Sequence, residues 1–260
     1  MRLKNKSLVI IGGTTGIGLS AAKAFLREGA RVVAMGRRRE TAEQAQKELG
    51  SDAHVFVWEA SDPEGAPLAI KKALNHFGRF DGLYHVAGGS GRSAGDGPLH
   101  EITDQGWNYT LNVNLTSLFI SNRAAAQQFL KQGSGGAILN MSSVLAFSPS
   151  PKFFSTHAYA TTKAAIIGLT KSAASFYAPH NIRFNVLAPA LVATPMSQRA
   201  QGDEAILNFI KTKQPLDGGR IGQPEDLDSA AVFFMSDESK FVTGQVLAVD
   251  GGWCVSEGSA

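Results

Sequence analysis

Cysteine is almost missing from this chain. A single residue, Cys254, stands among 260, so no disulfide can form within it, and the sequence fits a reducing compartment. Long apolar runs are missing too. No stretch approaches the roughly 18 uninterrupted apolar residues of a membrane-spanning helix. The run that follows the basic start Arg2-Leu3-Lys4-Asn5-Lys6 is only Leu8-Val9-Ile10-Ile11, too short for the central region of a signal peptide. A soluble, cytoplasmic protein with no membrane partner is expected. Neither sign of charge dominates: 25 basic and 22 acidic residues leave a net +3, and no long basic tract marks a nucleic-acid surface. Repeats, Pro-rich linkers and shifts of composition are absent, so 1–260 is expected to form one domain. His54, His76, His100, His157 and His180 show no ligand spacing with acids or cysteines, and no metal site is expected.

What the chain does have is 43% hydrophobic residues and a regular alternation of short β-branched runs with alanine-rich amphipathic stretches. Segments 8–11, 31–35, 54–57, 82–86, 137–141, 183–188 and 245–249 read as strands, with helical patterns between them. Each crossover helix must bury its apolar stripe against a sheet. The expected fold is therefore α/β, a single-domain, doubly wound parallel sheet with helices on both faces, Rossmann-like. The glycine-rich stretch 88–98 reads as a surface loop beside a site, since strands continue after it.

Gly12-Gly13-Thr14-Thr15-Gly16-Ile17-Gly18 follows the first strand and opens a helical stretch. Either this is an ordinary tight turn, or the glycines let the backbone approach a pyrophosphate whose charge the helix N-terminus stabilises. The strand–loop–helix context favours a dinucleotide site. At the end of the second strand an unphosphorylated cofactor would need an acid for its ribose 2′-hydroxyl, but the chain has Gly36 and then Arg37-Arg38-Arg39. Guanidinium groups hold a 2′-phosphate by charge-assisted hydrogen bonds, so NADP(H) is expected over NAD(H). The alternative is a solvated charge run that opens a helix.

Tyr159-Ala160-Thr161-Thr162-Lys163 places Tyr159 and Lys163 on one helical face, where the ammonium is expected to favour the phenolate and lower the phenol below its usual value of about 10. Upstream, Ser142-Ser143 follows a strand and offers a hydroxyl at the carboxyl edge of the sheet, where such sheets bind ligands. With Asn114 in Asn112-Val113-Asn114-Leu115, the Pro189 to Met196 segment, Arg220-Ile221-Gly222-Gln223-Pro224-Glu225-Asp226, Thr243-Gly244-Gln245 and Asp250-Gly251-Gly252, these motifs fall in the order of one family. Over nearly its whole length the chain resembles the short, single-domain branch of the short-chain dehydrogenases/reductases, such as 3-oxoacyl-carrier-protein reductases and related alcohol/ketone oxidoreductases.

That resemblance implies an enzyme that moves a hydride between a nicotinamide cofactor and a small carbonyl or secondary alcohol. Tyr159 would be the general acid/base, Ser143 would hydrogen-bond the reacting oxygen, Lys163 would hold the nicotinamide ribose, and Asn114 would position a proton-relaying water. It implies cofactor contacts at Gly12, Thr14, Thr15, Gly16, Ile17, Gly18, Arg37, Arg38, Glu59, Ala60, Ala87, Gly88, Pro189, Val192 and Thr194, besides Tyr159 and Lys163. It also implies a homotetramer, for which the apolar residues of 108–130 and 164–177 would supply self-complementary faces. Phe119, Phe129, Phe176 and Phe184 are expected in the core or at subunit contacts.

The chain departs from the family pattern in several places. His85-Val86-Ala87-Gly88 stands where Asn-Asn-Ala-Gly is usual, Glu59 stands for an Asp beside the adenine, Ala190 replaces the glycine after Pro189, and Ile11 replaces a threonine. His85 is expected to be a hydrogen-bonded structural histidine. His157 reads either as a loop residue or as a substrate contact. Tyr159 follows Ser143 by sixteen positions, longer than usual, so the loop between them is expected to carry an insertion. Residues 190–219 do not read as sheet. Ile206, Leu207, Phe209 and Ile210 are expected to meet Leu145, Phe147, Phe153 and Phe154, as a substrate lid or as a helix permanently packed at a subunit contact. Two other function classes remain open: a cofactor-sensing protein without turnover, and an epimerase or dehydratase on a related fold. The first would be favoured by loss of Tyr159 or Lys163, and the second by a larger carboxy-terminal substrate domain than the sequence leaves room for.

Overall fold

The seven β-branched runs become seven strands of one sheet: β1 Ser7–Ile11, β2 Arg31–Gly36, β3 Ala53–Val57, β4 Gly82–His85, β5 Gly136–Met141, β6 Ile182–Pro189 and β7 Val246–Val249. The computed structural model describes residues 1–259. All neighbouring strands pair in parallel, in the order β3-β2-β1-β4-β5-β6-β7. This is the expected doubly wound α/β sheet. Its order reverses between β1 and β4, which opens a crevice beyond their carboxyl ends.

Alternation along the strands divides the core. Leu8, Ile10, Ala34, Tyr84, Leu139 and Leu187 face helices α1 (Gly16–Arg27) and α9 (Asp228–Met235). Val9, Ile11, Val33, Leu83, Ile138 and Phe184 face α3 (Gly65–Phe77), α5 (Ser117–Gln132) and α6 (His157–Tyr177). Because side chains alternate across a strand and both faces are covered, each strand must be apolar at nearly every position. Helix α2 (Arg39–Leu49) covers β3 at the sheet edge, burying only Ala42, Ala45 and Leu49. On the second face Phe129 is buried, its ring stacked on Phe80 with centroids 4.6 Å apart, and Phe184 is buried too. Phe119 and Phe176 are exposed on α5 and α6.

Two irregularities bear on the site. Helix α4 (Asp104–Leu111) runs into α5 through one π-helical turn, Asn112–Thr116, which carries Asn114. Such a widened turn shifts side chains relative to a regular helix and is frequent at functional sites. A third apolar cluster, separate from both sheet faces, packs Val144, Ala200, Ile206, Phe209, Ile210 and Trp253 with Leu145, Phe153 and Phe154 at its edge. It joins α7 (Gln198–Gln201) and α8 (Glu204–Lys213) to the loop before α6. Phe147, expected there, is instead 48% exposed, and Leu207 stays outside the cluster, whereas Trp253 from the carboxy-terminal turn packs within it. The Trp253 indole donates to the Ser148 carbonyl at 3.1 Å and meets Phe154 and Phe209 edge-on. Among the described residues no helix is long and apolar enough to cross a membrane.

Candidate active site

One cavity of about 870 Å³ occupies the crevice, running from the glycine loop past the ends of β4 and β5 to Trp253. At one end the backbone strands approach so closely that side chains are excluded. A Cβ on Gly12, whose φ is +88°, would lie 2.6 Å from the Ala87 nitrogen, and one on Gly18 would lie 2.0 Å from the Gly12 carbonyl oxygen. Helix α1 opens at Gly16, φ +51°, from an extended Thr15 whose side chain leaves the first-turn N–H groups uncapped. Those donors and the helix dipole form an anion cradle. Thr194 closes it, since a Cβ on Gly16 would meet its methyl at 3.2 Å. Thr194 is fixed in turn by its N–H donating to Ser197 Oγ at 3.0 Å.

Gly36, Arg37 and Arg38 line the same end of the cavity, whereas Arg39 does not. The missing acid at position 36 has a steric reason: a Cβ there would lie 2.1 Å from the Oγ1 of buried Thr14. Glu59 and Ala60 line the wall, with Glu59 Oε1 accepting from the Ala60 N–H at 2.9 Å. Trp58, which the sequence did not single out, lies beside them.

The middle of the cavity holds the Tyr159 group. Lys163 is 3% exposed, and its Nζ donates to the Met141 carbonyl at 3.0 Å at the end of β5. The hydroxyl of Ser142 donates to the Lys163 carbonyl at 2.7 Å, so strand and helix are tied twice. One turn earlier stands Tyr159, its ring centroid 5.3 Å from the Lys163 ammonium. Ser143 lies on the adjacent wall, its Oγ accepting from the Leu145 N–H at 3.2 Å and close enough to the phenol to favour its ionised form. Asn114 clasps the glycine loop after β4: Oδ1 accepts from the Gly89 N–H at 3.1 Å, and Nδ2 donates to the Gly89 and Thr110 carbonyls at 2.8 and 2.9 Å. A Cβ on Gly88 would lie 2.5 Å from Asn114 Oδ1, so only glycine fits in that corner.

The expected depression of the Tyr159 phenol is not found. Burial pushes it up to about 12, the Ser143 hydrogen bond only partly opposing this. Burial also pushes the Lys163 ammonium down to about 8. Lys163 is buried and Tyr159 half-buried, and loss of hydration is the largest influence on each. His85 is neutral and structural, as expected. Burial, reinforced by the Lys163 charge, holds it down at about 3, and its Nδ1 lies 2.8 Å from Ser121 Oγ. His157 is exposed at the start of α6 and does not line the cavity.

The structure therefore brings Tyr159, Lys163, Ser143, Gly12, Thr14, Thr15, Gly16, Ile17, Arg37, Arg38, Glu59, Ala60, Ala87, Gly88, Pro189, Val192 and Thr194 onto one cavity wall. Asn114 stands behind that wall, and Gly18 packs beneath the loop. The sequence reading missed Asp96. Its buried carboxylate accepts from the first-turn N–H groups of Ala158, at 3.0 Å, and Tyr159, at 2.9 Å. An aspartate 62 residues before the helix it caps leaves no local sequence signal. Arg92, Tyr109, Met196, Arg199 and Trp253 were also missed as lining residues.

The chain is similar to known proteins over nearly its whole length. Residues 12–254 match the family model described as enoyl-(acyl carrier protein) reductase. The NADP-dependent (R)-specific alcohol dehydrogenase of Lentilactobacillus kefiri is 36% identical over 97% of this chain and 98% of its own length. The 2-dehydro-3-deoxy-D-gluconate 5-dehydrogenase of Dickeya dadantii is 33% identical over 96% of each chain. Among solved structures, a short-chain type dehydrogenase/reductase from Mycobacterium ulcerans superposes with a TM-score of 0.90 at 27% identity, over 99% of this chain and 93% of that one. The chain belongs to the short-chain dehydrogenase/reductase family. It is an oxidoreductase of CH–OH groups, in a family that uses a nicotinamide cofactor.

Asp96→Asn leaves one of the two helix N–H groups facing an amide NH2 instead of an acceptor. We expect a loss of about 1–3 kcal/mol in denaturant unfolding; unchanged stability would show that water satisfies the helix end instead. Lys163 gives a pH signature. Between about 8 and 10.5 the unfolded chain keeps a proton that the folded chain has lost, so this group makes stability rise with pH across the window. Tyr159 acts oppositely above pH 10, where the unfolded phenol ionises first. From pH 8 to 10 the wild type should gain up to about 1.4 kcal/mol per pH unit relative to Lys163→Met. Parallel curves would mean a solvated amine.

Proposed function

We propose that this enzyme interconverts a carbonyl compound and a secondary alcohol with NADP(H), Tyr159 passing the proton. The observation that carries this reading is the convergence of Tyr159, Ser143 and buried Lys163 on the cavity that begins at the glycine loop. The groups present fit a dinucleotide phosphate. The side-chain-free cradle of Gly12, Gly16 and the α1 N-terminus suits the pyrophosphate, Arg37 and Arg38 suit the 2′-phosphate, and Lys163 suits the ribose near the reacting end. Bound there, the cofactor supplies or accepts the hydride.

The chain's own residues handle the oxygen. Ser143 donates a hydrogen bond to the substrate oxygen, stabilising charge that develops on it. Tyr159 donates its proton to the same oxygen during reduction and takes it back during oxidation. With its phenol near 12, Tyr159 is fully protonated at neutral pH, which is the form that reduction requires. Lys163 and Asn114 lie behind Tyr159 as its route for resupply of protons, Lys163 bonded to Met141 and Asn114 to the Gly89 loop. Residues 190–219 act as a lid over the substrate half, resting on the cluster of Val144, Phe209 and Trp253. Exposed Phe119 and Phe176 on α5 and α6 supply contacts for a two-fold symmetric homotetramer, and the protein works in the cytoplasm.

Tyr159→Phe keeps the ring and removes the proton, so NADPH oxidation across a panel of ketones should fall at least about a hundredfold while NADPH still binds. Near-normal turnover would overturn the assignment. With one good ketone, kcat/KM should favour NADPH over NADH by about tenfold or more, and Arg37→Gln with Arg38→Gln should bring the ratio towards one. Equal efficiencies in the wild type would leave the arginines as surface charge.

A further inference from the structure

The substrate half of the cavity contains two cations that no carboxylate answers. Arg92 lies in the short 3-10 turn Arg92–Ala94 after β4, and Arg199 lies in α7 of the segment across the mouth. Both line the cavity that holds Tyr159 and Ser143, and among the described residues neither forms an ion pair. Arg199 is held towards the opening by donating to the Phe153 carbonyl at 3.3 Å, on the loop leading to Tyr159. Arg92 feels burial, the like charge of Arg199 and the opposite charge of Asp96, in that order. Asp96 does not neutralise the pair, because each of its oxygens already accepts a helix N–H.

Both side chains are exposed at the cavity, and two like charges lining one opening without an anion repel each other, though water screens the repulsion. Two cations of one sign lining a concave site raise the local concentration of anions there. Leu145, Phe154 and Trp253 add apolar surface to the same cavity.

We infer that the substrate carries an anionic oxyacid group, a carboxylate or a phosphate, joined by an apolar spacer to the carbonyl reduced at Tyr159, and that Arg92 and Arg199 grip that group. Planar guanidinium forks match either oxyanion in paired hydrogen bonds. Because Arg92 is on the loop after β4 and Arg199 is on α7, the anion is held from two separate elements of the fold. This inference rests on reading the cavity as the reductase site, and it narrows the substrate class within that reading.

The test compares levulinate and longer methyl-ketone carboxylates with their methyl esters and with oxoalkyl phosphates of matching length, using NADPH. We expect kcat/KM for at least one acid or phosphate to exceed that of the matching neutral ester by about tenfold or more, carried mainly by KM. The better series identifies the oxyanion. In Arg92→Gln and Arg199→Gln the acid-to-ester ratio should fall towards one. An ester equal to its acid and phosphate counterparts in the wild type, or a ratio that survives both substitutions, would overturn the inference. Calorimetric titration of the same compounds into enzyme saturated with NADPH reads the anion site without turnover. Tighter binding of the anions, lost in both variants, supports the inference even if no ketone is reduced, an outcome that would count against the reductase reading alone. Equal binding of anions and esters overturns it.

Discussion

The site is organised around an ammonium group withdrawn from water. Lys163 has one hydrogen bond from its Nζ, to the carbonyl at the end of β5, and the Ser142 hydroxyl answers from the same strand end. A buried cation is costly unless it is partnered, so these bonds fix how far α6 slides along the sheet. Everything else in the centre follows from that register. Tyr159 falls one turn earlier, over the carboxyl edge, and its backbone N–H meets the Asp96 carboxylate. Burial, with the same charge adding to it, keeps His85 neutral, and its ring bonds to Ser121 on α5.

A second constraint is the absence of side chains where backbones nearly touch. Gly12 against Ala87, Gly18 against the Gly12 carbonyl, and Gly88 against Asn114 leave no room for a methyl group. These contacts let β1, β4 and the π-helical turn converge on one crevice. Gly36 belongs to the same set, because Thr14 occupies the space in which an acid at the end of β2 would have to fit. The lack of repulsion towards a 2′-phosphate is thus a packing consequence as well as a charge pattern.

The substrate half is built differently. The cluster of Val144, Ile206, Phe209 and Trp253 draws on three separate stretches of chain, and Arg92 and Arg199 reach the same cavity from two others. This region includes the loop between Ser143 and Tyr159, and it is where sequence reading was least successful. Phe147 and Phe154 are both aromatics of one loop, yet only Phe154 turns inward, because Trp253 gives it an edge to pack against.

The sequence by itself determined the strands, their parallel order of winding, and the places of the glycine loop, Ser143, Tyr159 and Lys163. These depend on local periodicity and on short spacings that one strand, turn or helix converts directly into geometry. Only the tertiary structure decided that Asp96 caps the Tyr159 helix, that Trp253 rather than Phe147 backs the substrate wall, and that two distant arginines share it. It also reversed the expected effect on the Tyr159 phenol. A four-residue step places an ammonium near a phenol, but it does not say how much water remains around either, and here desolvation is the largest influence on both.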